Sequence, residues 1–321
     1  MRDIRADQAV GAYDLRKVTE AAARAAYAWL GRGERAQSDA AAITAMAEAL
    51  AALGIDGRIL IGEGPVSETT LLYHGQRFGD AARPPVWDIA VDPVEGTSFL
   101  AKGMTNAMAC IAMAPSGTMF DPGPAFYMEK FAAPPAARGR IDPAAPVEDK
   151  LAALARLLGK PVEDLTVYVL EKPRHRDLVA RVHAMGARVL LYPAGDVAGA
   201  LMAAIPDSGV DALLGTGGCP EGMLSAAAIR AMGGEFMARL DPQLATERRA
   251  VDEAGLDTGR WWRLDELVTS DDVLFCATGI TSGLLLEGVV RSGGVDKTTT
   301  LMVGGEAGPR QMLSTWHPRQ G

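Results

Sequence analysis

The stretch from Trp87 to Thr97, WDIAVDPVEGT, constrains this chain more than any other. An apolar, strand-like run from Ile89 to Val91 gives way to Asp92 and Pro93, then to Glu95, Gly96 and Thr97, before helix-forming residues resume. Proline fixes its own φ and donates no backbone hydrogen bond, while glycine accepts backbone conformations closed to other residues. The pattern therefore reads as a strand that stops at Pro93 and delivers acids to a turn, with Asp92 and Glu95 facing one point. Thr97 adds a hydroxyl, and the amides around it, opening a helix, suit an anion such as phosphate. Two carboxylates beside an anion cradle select hard cations, Mg²⁺ or Mn²⁺, held between protein and phosphate. A capped turn with solvated acids is the alternative for any isolated motif this short.

At 321 residues the chain is long enough for a sizeable core, and its length suggests two domains. Its 48% hydrophobic and 22% charged residues, with 36 glycines, describe a globular chain of mixed α/β type. A net charge of −8 argues against nucleic acid as a general partner and leaves room for a local basic pocket around a small phosphorylated substrate. Cys110, Cys219 and Cys276 are odd in number and widely spaced, which reads as reduced thiols. The N-terminal MRDIRADQAVGAYDLRKVTE has no apolar signal core and no later run approaches membrane-spanning length, so cytoplasmic residence with no membrane partner is the expectation. His74, His175, His183 and His317 are scattered, which disfavours a zinc centre and reads as surface placement for most of them.

Periodicity predicts a helix from Leu15 to Leu30, ended by Gly31 and Gly33, and a second from Ser38 or Asp39 to Leu53. Asp39 at that start reads as an N-cap. Arg58 to Ile61 is a short strand ending in Gly62, Glu63 and Gly64; a carboxylate between two glycines is hard to explain by packing, an ordinary turn acid being the alternative. Val66 to Phe78 reads as a loop with a short helix. Ala107 to Ala114 and the alternating Ala125 to Phe131 read as hairpin strands, with Tyr127 a half-buried strand aromatic. After an irregular excursion from Pro134 to Pro146, Val147 to Leu158 is helical and ends at Gly159. From Thr166 the pattern alternates strand and helix, which places sites at strand ends. Strand-like runs return at Val273 to Ala277 and Leu284 to Val290, and the tail after Gly304 is uninformative.

Three further motifs carry chemistry. Lys172, Pro173, Arg174 and His175 follow a strand directly and combine a point charge with a guanidinium fork, as suits a phosphate that is held but not cleaved; a solvated basic turn is the alternative. Gly215 to Gly222, GTGGCPEG, lacks the spacing of a dinucleotide turn and reads better as a strand whose backbone ends close to a sugar phosphate. Asp196, in Ala194–Gly195–Asp196, reads by itself as a helix N-cap. Cys219 reads as an inert packing thiol.

Taken in order, these strings resemble a known group. WDIAVDPVEGT resembles the metal-binding signature of the lithium-sensitive sugar and inositol phosphatase superfamily, with Glu95 where inositol phosphatases usually carry Asp. The fuller match is to the bacterial class II fructose-1,6-bisphosphatases, through YAWLGRGERAQSDAAAITAM, IGEG, YMEK, KPRH, GTGGCPEG and FCATGITSGLLLEGV. The resemblance implies an α/β (α+β) layered sandwich in two subdomains, 1–164 binding metal and 165–321 binding substrate. It implies removal of the 1-phosphate of fructose 1,6-bisphosphate, in gluconeogenesis or the Calvin cycle, with Mn²⁺ or Mg²⁺ as cofactor, in a homodimer or homotetramer.

By the same resemblance Asp39, Glu63, Asp92, Glu95 and Glu221 are metal ligands. Glu63 also orients the attacking water, Thr97 orients water or leaving oxygen, and Asp92 completes the catalytic set. Glu95, Gly96, Thr97, Tyr127, Lys172, Pro173, Arg174, Asp196 and Gly218 contact substrate, Lys172 and Arg174 at its distal phosphate and His175 in support. Ala194 departs from the family pattern, which commonly has an acid there, and this bears on sugar selectivity. Sedoheptulose 1,7-bisphosphate as a second substrate, an inositol phosphatase and a non-catalytic sugar-phosphate sensor are the competing readings. YMEK, KPRH and GGCPEG favour a ketose bisphosphate, and retention of all five acids speaks against a sensor.

Overall fold

The computed structural model describes residues 10–304 and 309–319. In chain order its elements begin with α1 (Ala12–Tyr27), α2 (Arg35–Ala52), β1 (Gly57–Ile61), β2 (Arg77–Phe78), β3 (Trp87–Glu95), α3 (Thr97–Ala101) and β4 (Met108–Pro115). They continue with β5 (Tyr127–Ala133), α4 (Val147–Leu158), β6 (Thr166–Leu170), α5 (Arg176–Ala184), β7 (Arg188–Tyr192), α6 (Asp196–Ala204), β8 (Ala212–Gly218) and α7 (Cys219–Met232). The last are β9 (Glu235–Leu240), α8 (Ala245–Glu253), β10 (Trp262–Arg263), α9 (Leu264–Leu267), β11 (Leu274–Gly279), β12 (Val290–Ser292), β13 (Val295–Gly304) and β14 (Gln311–Pro318). They group into two units, one drawn from the chain up to Met119 and from Ser270 onward, the other from Phe120–Thr269.

The first unit is built on the sheet β12-β13-β11-β4-β3-β1-β2, with β14 also paired to β13. Its β1 and β3 run parallel and the other pairs antiparallel. Parallel neighbours end on the same side of a sheet, so β1 and β3 deliver Glu63 and Asp92 to one edge. The apolar run of β4 is buried from Met108 to Ala114 because it lies between β3 and β11. Helix α1 lies against α2 and against β4, β11 and β13, and its Ala22, Ala23 and Ala26 are fully buried. Its buried Thr19 hydroxyl meets that of Thr278 on β11 at 2.7 Å.

The second unit is built on the sheet β10-β9-β5-β8-β6-β7, parallel across β8-β6-β7 and antiparallel elsewhere. Side chains alternate between faces along a strand. Val167 and Val169 of β6 accordingly enter a core with Leu151 and Leu154 of α4 and Val182 of α5. Tyr168 points the other way, against α6. Residues 120–164, grouped with the N-terminal part from the sequence, join this second unit because β5 pairs with β8 and β9. The layering is the α/β arrangement the sequence implies. No helix among the described residues is long and apolar enough to cross a membrane.

Several local expectations are corrected. Pro93 does not stop its strand: β3 continues to Glu95, and its register against β4 slips between Asp92 and Glu95, a bulge that accommodates a residue with no N–H to give. Helix α2 starts at Arg35, so Asp39 lies inside it and caps nothing. Asp196 is the first residue of α6, and the capping position belongs to Gly195 at φ 89°. The 66–78 segment forms turns and β2 but no helix, because its backbone bonds go to β1: Leu72 accepts from Glu63 at 3.0 Å and Gly75 donates to Ile59 at 2.8 Å. Strands β4 and β5 lie in different sheets and form no hairpin, since alternation reads a strand's faces and not its partner. In the 284–290 run only Val290 is a strand residue; Gly283 donates to Leu286 at 2.9 Å and closes a turn there instead. Residues 1–9, part of the leader reading, and 305–308 and 320–321, part of the tail, lie outside the described residues.

The contact between Gly199 of α6 and the ring of Tyr168 supplies a test of the packing. A Cβ at Gly199 would lie 2.5 Å from the ring, and Tyr168 is fully buried with nowhere to retreat. Gly199→Ala is expected to destabilise the protein by about 1–3 kcal/mol through overpacking, despite the better helix propensity of alanine. Urea unfolding followed by circular dichroism measures this; a midpoint equal to or above wild type would disprove it.

Candidate active site

In the first unit the candidate carboxylates sit at the ends of β1 and β3 and on α2. A Cβ at Gly62 would lie 2.0 Å from the Leu72 carbonyl oxygen, and the next amide, that of Glu63, donates to the same oxygen at 3.0 Å. The half-buried Glu63 is thus fixed at its backbone, and Gly64 at φ 125° completes the turn. The β3 bulge brings carboxylate oxygens of Asp92 and Glu95 within 4.8 Å of each other. Side chains staple the bulge: Asp92 Oδ1 accepts the Val94 amide at 3.0 Å and the Thr97 hydroxyl donates to the Val94 carbonyl at 3.1 Å. Gly96, left-handed at φ 87°, then starts α3, and a Cβ there would lie 2.7 Å from the Phe99 ring.

Negative charge gathers at this corner. Burial pushes the thiol of Cys110, paired opposite Asp92, well above its usual range, and the charges of Asp92 and Glu95 push it further. Asp39 on α2 is raised as well, by burial first, with the Thr97 hydroxyl and Arg35 pulling the other way. Its Oδ1 is buried and has no hydrogen-bond partner. A carboxylate oxygen so placed is costly unless a cation, a donor or a proton reaches it.

In the second unit β8 runs into α7, whose first turn holds Glu221 after Pro220. Glu221 Oε2 is buried without a hydrogen-bond partner, and its pKa is raised by burial and by Asp196, against the opposing charge of Lys130. The glycines of this stretch make room for side chains of the unit itself. A Cβ at Gly218 would lie 1.9 Å from Glu221 Oε2, one at Gly217 would lie 2.1 Å from Asp196 Oδ2, and one at Gly222 would lie 3.0 Å from Lys130 Cε. Tyr127 pairs with Gly218 across β5 and β8, and its amide donates to the buried Glu247 at 2.8 Å. The carbonyls of Ala194 and Gly195 accept from the Tyr168 hydroxyl at 3.2 and 2.9 Å, so the backbone of this turn is held whatever side chain stands at 194.

The basic turn after β6 grips Thr216 of β8. Arg174 donates to the Thr216 carbonyl from Nε at 3.1 Å and from Nη2 at 2.8 Å, and its guanidinium lies 5.1 Å over the Tyr127 ring. His175 Nε2 accepts the Thr216 amide at 2.8 Å, which leaves Nδ1 to carry the proton and donate to the Leu170 carbonyl at 2.7 Å. His175 is therefore a buried, neutral clamp and not a surface residue. Lys172 is the last residue before the helical turn that holds Pro173 and Arg174. Sequence reasoning missed the roles of His175, Tyr168, Glu247 and Lys130; Lys130 stood in view as the last letter of YMEK, but nothing in an isolated lysine announces burial. All three thiols are buried and unpaired, and Cys219 and Cys276 are raised by burial, as inert packing cysteines should be.

A family model described as bacterial fructose-1,6-bisphosphatase, glpX-encoded, matches residues 10–317. Among curated proteins the chain is 42% identical over 319 residues to fructose-1,6-bisphosphatase 1 class 2 of Escherichia coli strain K12, covering 95% of this chain and 94% of that one. It is 42% identical over the same coverage to fructose-1,6-bisphosphatase class 2 of Shigella flexneri.

The His175 clamp has a pH signature. Burial holds its folded pKa below the usual 6.5, so between that value and the folded one the unfolded chain binds more protons. The contribution of the neutral ring is complete above about pH 6.5 and is lost as pH falls through the window below it. His175→Gln is expected to flatten the loss of unfolding free energy between about pH 7 and pH 5, leaving a residue from His317, which is lowered by burial in the same sense. Denaturant unfolding across that range measures the slopes; identical slopes in wild type and variant would remove the clamp from the explanation.

Proposed function

The chain belongs to the bacterial class II, glpX-encoded fructose-1,6-bisphosphatase family, and we infer that it hydrolyses fructose 1,6-bisphosphate at the 1-phosphate, giving fructose 6-phosphate and inorganic phosphate. The observation that carries the reading is the family match, which runs through the carboxylate-bearing strand ends of the first unit and the basic and glycine-rich turns of the second. The donor set supports a hard divalent cation. It is all oxygen, and buried Asp39 Oδ1 and Glu221 Oε2 each lack a hydrogen-bond partner. On the family's pattern we assign Asp39, Glu63, Asp92, Glu95 and Glu221 to Mg²⁺ or Mn²⁺.

Bound divalent ions supply neutralisation of phosphate charge and a more acidic water. The remaining work falls to residues of the chain. We assign Glu63 to orienting the water and taking its proton as the oxygen attacks phosphorus and the bond to the sugar oxygen breaks. Thr97, fixed by its hydrogen bond to Val94, lies next to Gly96 and orients water or leaving oxygen, while Glu95 and Gly96 contact the ester. Lys172, Pro173 and Arg174 bind the distal phosphate, Tyr127 and Gly218 the sugar, and Asp196 its hydroxyls. The cytoplasm, supported by three unpaired cysteines, and a homodimer or homotetramer go with this reading.

The test is phosphate release from fructose 1,6-bisphosphate with Mg²⁺ or Mn²⁺, alongside sedoheptulose 1,7-bisphosphate and inositol phosphates. Chelation is expected to abolish release and metal to restore it; undiminished turnover by protein shown by elemental analysis to be metal-free would refute the cation assignment. Glu63→Gln, nearly isosteric but neither base nor strong ligand, is expected to keep substrate binding and to lose about 10²–10⁴-fold in single-turnover rate. A variant that binds and hydrolyses like wild type would make Glu63 a structural turn acid, and a wild type that binds without hydrolysing would make the protein a sensor.

A further inference from the structure

Lys130 lies in the middle of β5, between Gly215 of β8 and Ala238 of β9, and is 1% exposed. Its ammonium stands 2.5 Å from Oδ2 of Asp196, itself 6% exposed. Both ends of this ion pair are built in. The lysine backbone is fixed by the sheet, and the aspartate follows Gly195, whose carbonyl is held by the Tyr168 hydroxyl at 2.9 Å. Gly217 lies directly over the pair, where a Cβ would stand 2.1 Å from Asp196 Oδ2 and 3.1 Å from Lys130 Nζ, and Gly222 lies against the lysine stem. Gly217 thus leaves room chiefly for the Asp196 carboxylate and Gly222 chiefly for Met128, whose sulfur a Cβ would approach to 2.3 Å, with the lysine beside each. Stability alone does not account for this, because well-packed apolar residues do as well as a buried ion pair or better. What the pair adds is direction: with Oδ2 bonded to the ammonium, the Asp196 carboxylate is fixed in rotation.

We propose that Lys130 is a positioning residue for substrate binding, which locks the Asp196 carboxylate in the one orientation that receives the sugar hydroxyls. The proposal rests on the reading of Asp196 as a substrate ligand. The same ammonium also offsets the repulsion between Asp196 and Glu221. Buried and bonded to Asp196, Lys130 acts through that carboxylate, so its effect falls on KM, with kcat little changed.

The experiment is a double-mutant cycle in steady-state kinetics with fructose 1,6-bisphosphate at saturating Mg²⁺ and, separately, saturating Mn²⁺, on wild type, Lys130→Met, Asp196→Asn and the double variant, with melting curves for each. Lys130→Met is expected to raise KM about tenfold with kcat within about threefold, and to change KM less than about twofold when added to Asp196→Asn. An unchanged KM in Lys130→Met, or a full additional increase on top of Asp196→Asn, would overturn the proposal. Should Lys130→Met fail to fold for want of its buried cation, the double variant, which removes both charges, decides by comparison with Asp196→Asn: equal KM supports the proposal and a higher KM overturns it. An Asp196→Asn enzyme with wild-type KM removes the aspartate from the substrate and the proposal with it. A wild type that hydrolyses none of the substrate overturns the underlying reading instead.

Discussion

A carboxylate taken out of water needs a cation, a donor or a proton, and much of what is unusual in this chain follows from how it meets that need. Asp88 shows the ordinary solution. Fully buried on β3, it receives Arg58 at 2.9 Å, the Ser116 hydroxyl at 3.2 Å and the Gly117 amide at 2.6 Å, and so ties β1, β3 and the turn after β4 together. Glu247 shows another, accepting the amides of Phe126, Tyr127 and Gln243 at 2.6, 2.8 and 2.9 Å. Against these satisfied acids, Asp39 and Glu221 stand out: each keeps one buried oxygen unbonded and each is driven toward its protonated form by burial. That contrast within one chain separates acids that the fold satisfies from acids that the fold alone leaves with an unbonded oxygen.

Glycine serves the same economy of space. At Gly62 and Gly96 it lets a strand end turn sharply so that the following side chain leaves from a fixed backbone. At Gly217 and Gly218 it clears volume for the carboxylates of Asp196 and Glu221, and at Gly222 for Met128 and the Lys130 stem. A glycine-rich string after a strand is commonly read as backbone approaching a ligand. Here the nearest atoms to those missing side chains include functional groups of the chain itself, so the string records the packing of an acidic and basic cluster as much as any approach of a ligand.

What could be read in advance follows from which forces are local. Helix α4 with its Gly159 stop was legible to the residue, because periodicity and a left-handed glycine at φ 64° act within a few residues. The acids of Trp87–Glu95 were legible because their chemistry is written in one short string. The hairpin expected of β4 and β5 was not there to be found, since each strand's partners lie elsewhere in sequence and alternation carries no address. Pro93 misled for a related reason: it forbids a ladder hydrogen bond at one position, and a bulge meets that demand as well as a strand end does. Lys130 and His175 were illegible as buried groups because burial of a polar residue is decided by partners that arrive from Asp196, Leu170 and Thr216.

The basic turn after β6 shows how one short string holds the fold at several points. Arg174 and His175 take the carbonyl and the amide of the same residue, Thr216, so the turn and the strand β8 are fixed to each other through the two peptide units that flank one residue. Thr216 in turn gives its hydroxyl to Asp241 at 2.5 Å, and Asp241 donates its amide to the Tyr127 carbonyl at 3.0 Å. Arg174 closes the circuit by lying over the Tyr127 ring. An arginine held at three points has little rotamer freedom left to lose, so any phosphate it binds meets a guanidinium already in place. The turn's positive charge and the position of Tyr127 are therefore set by one network, and a substitution anywhere along it reaches both.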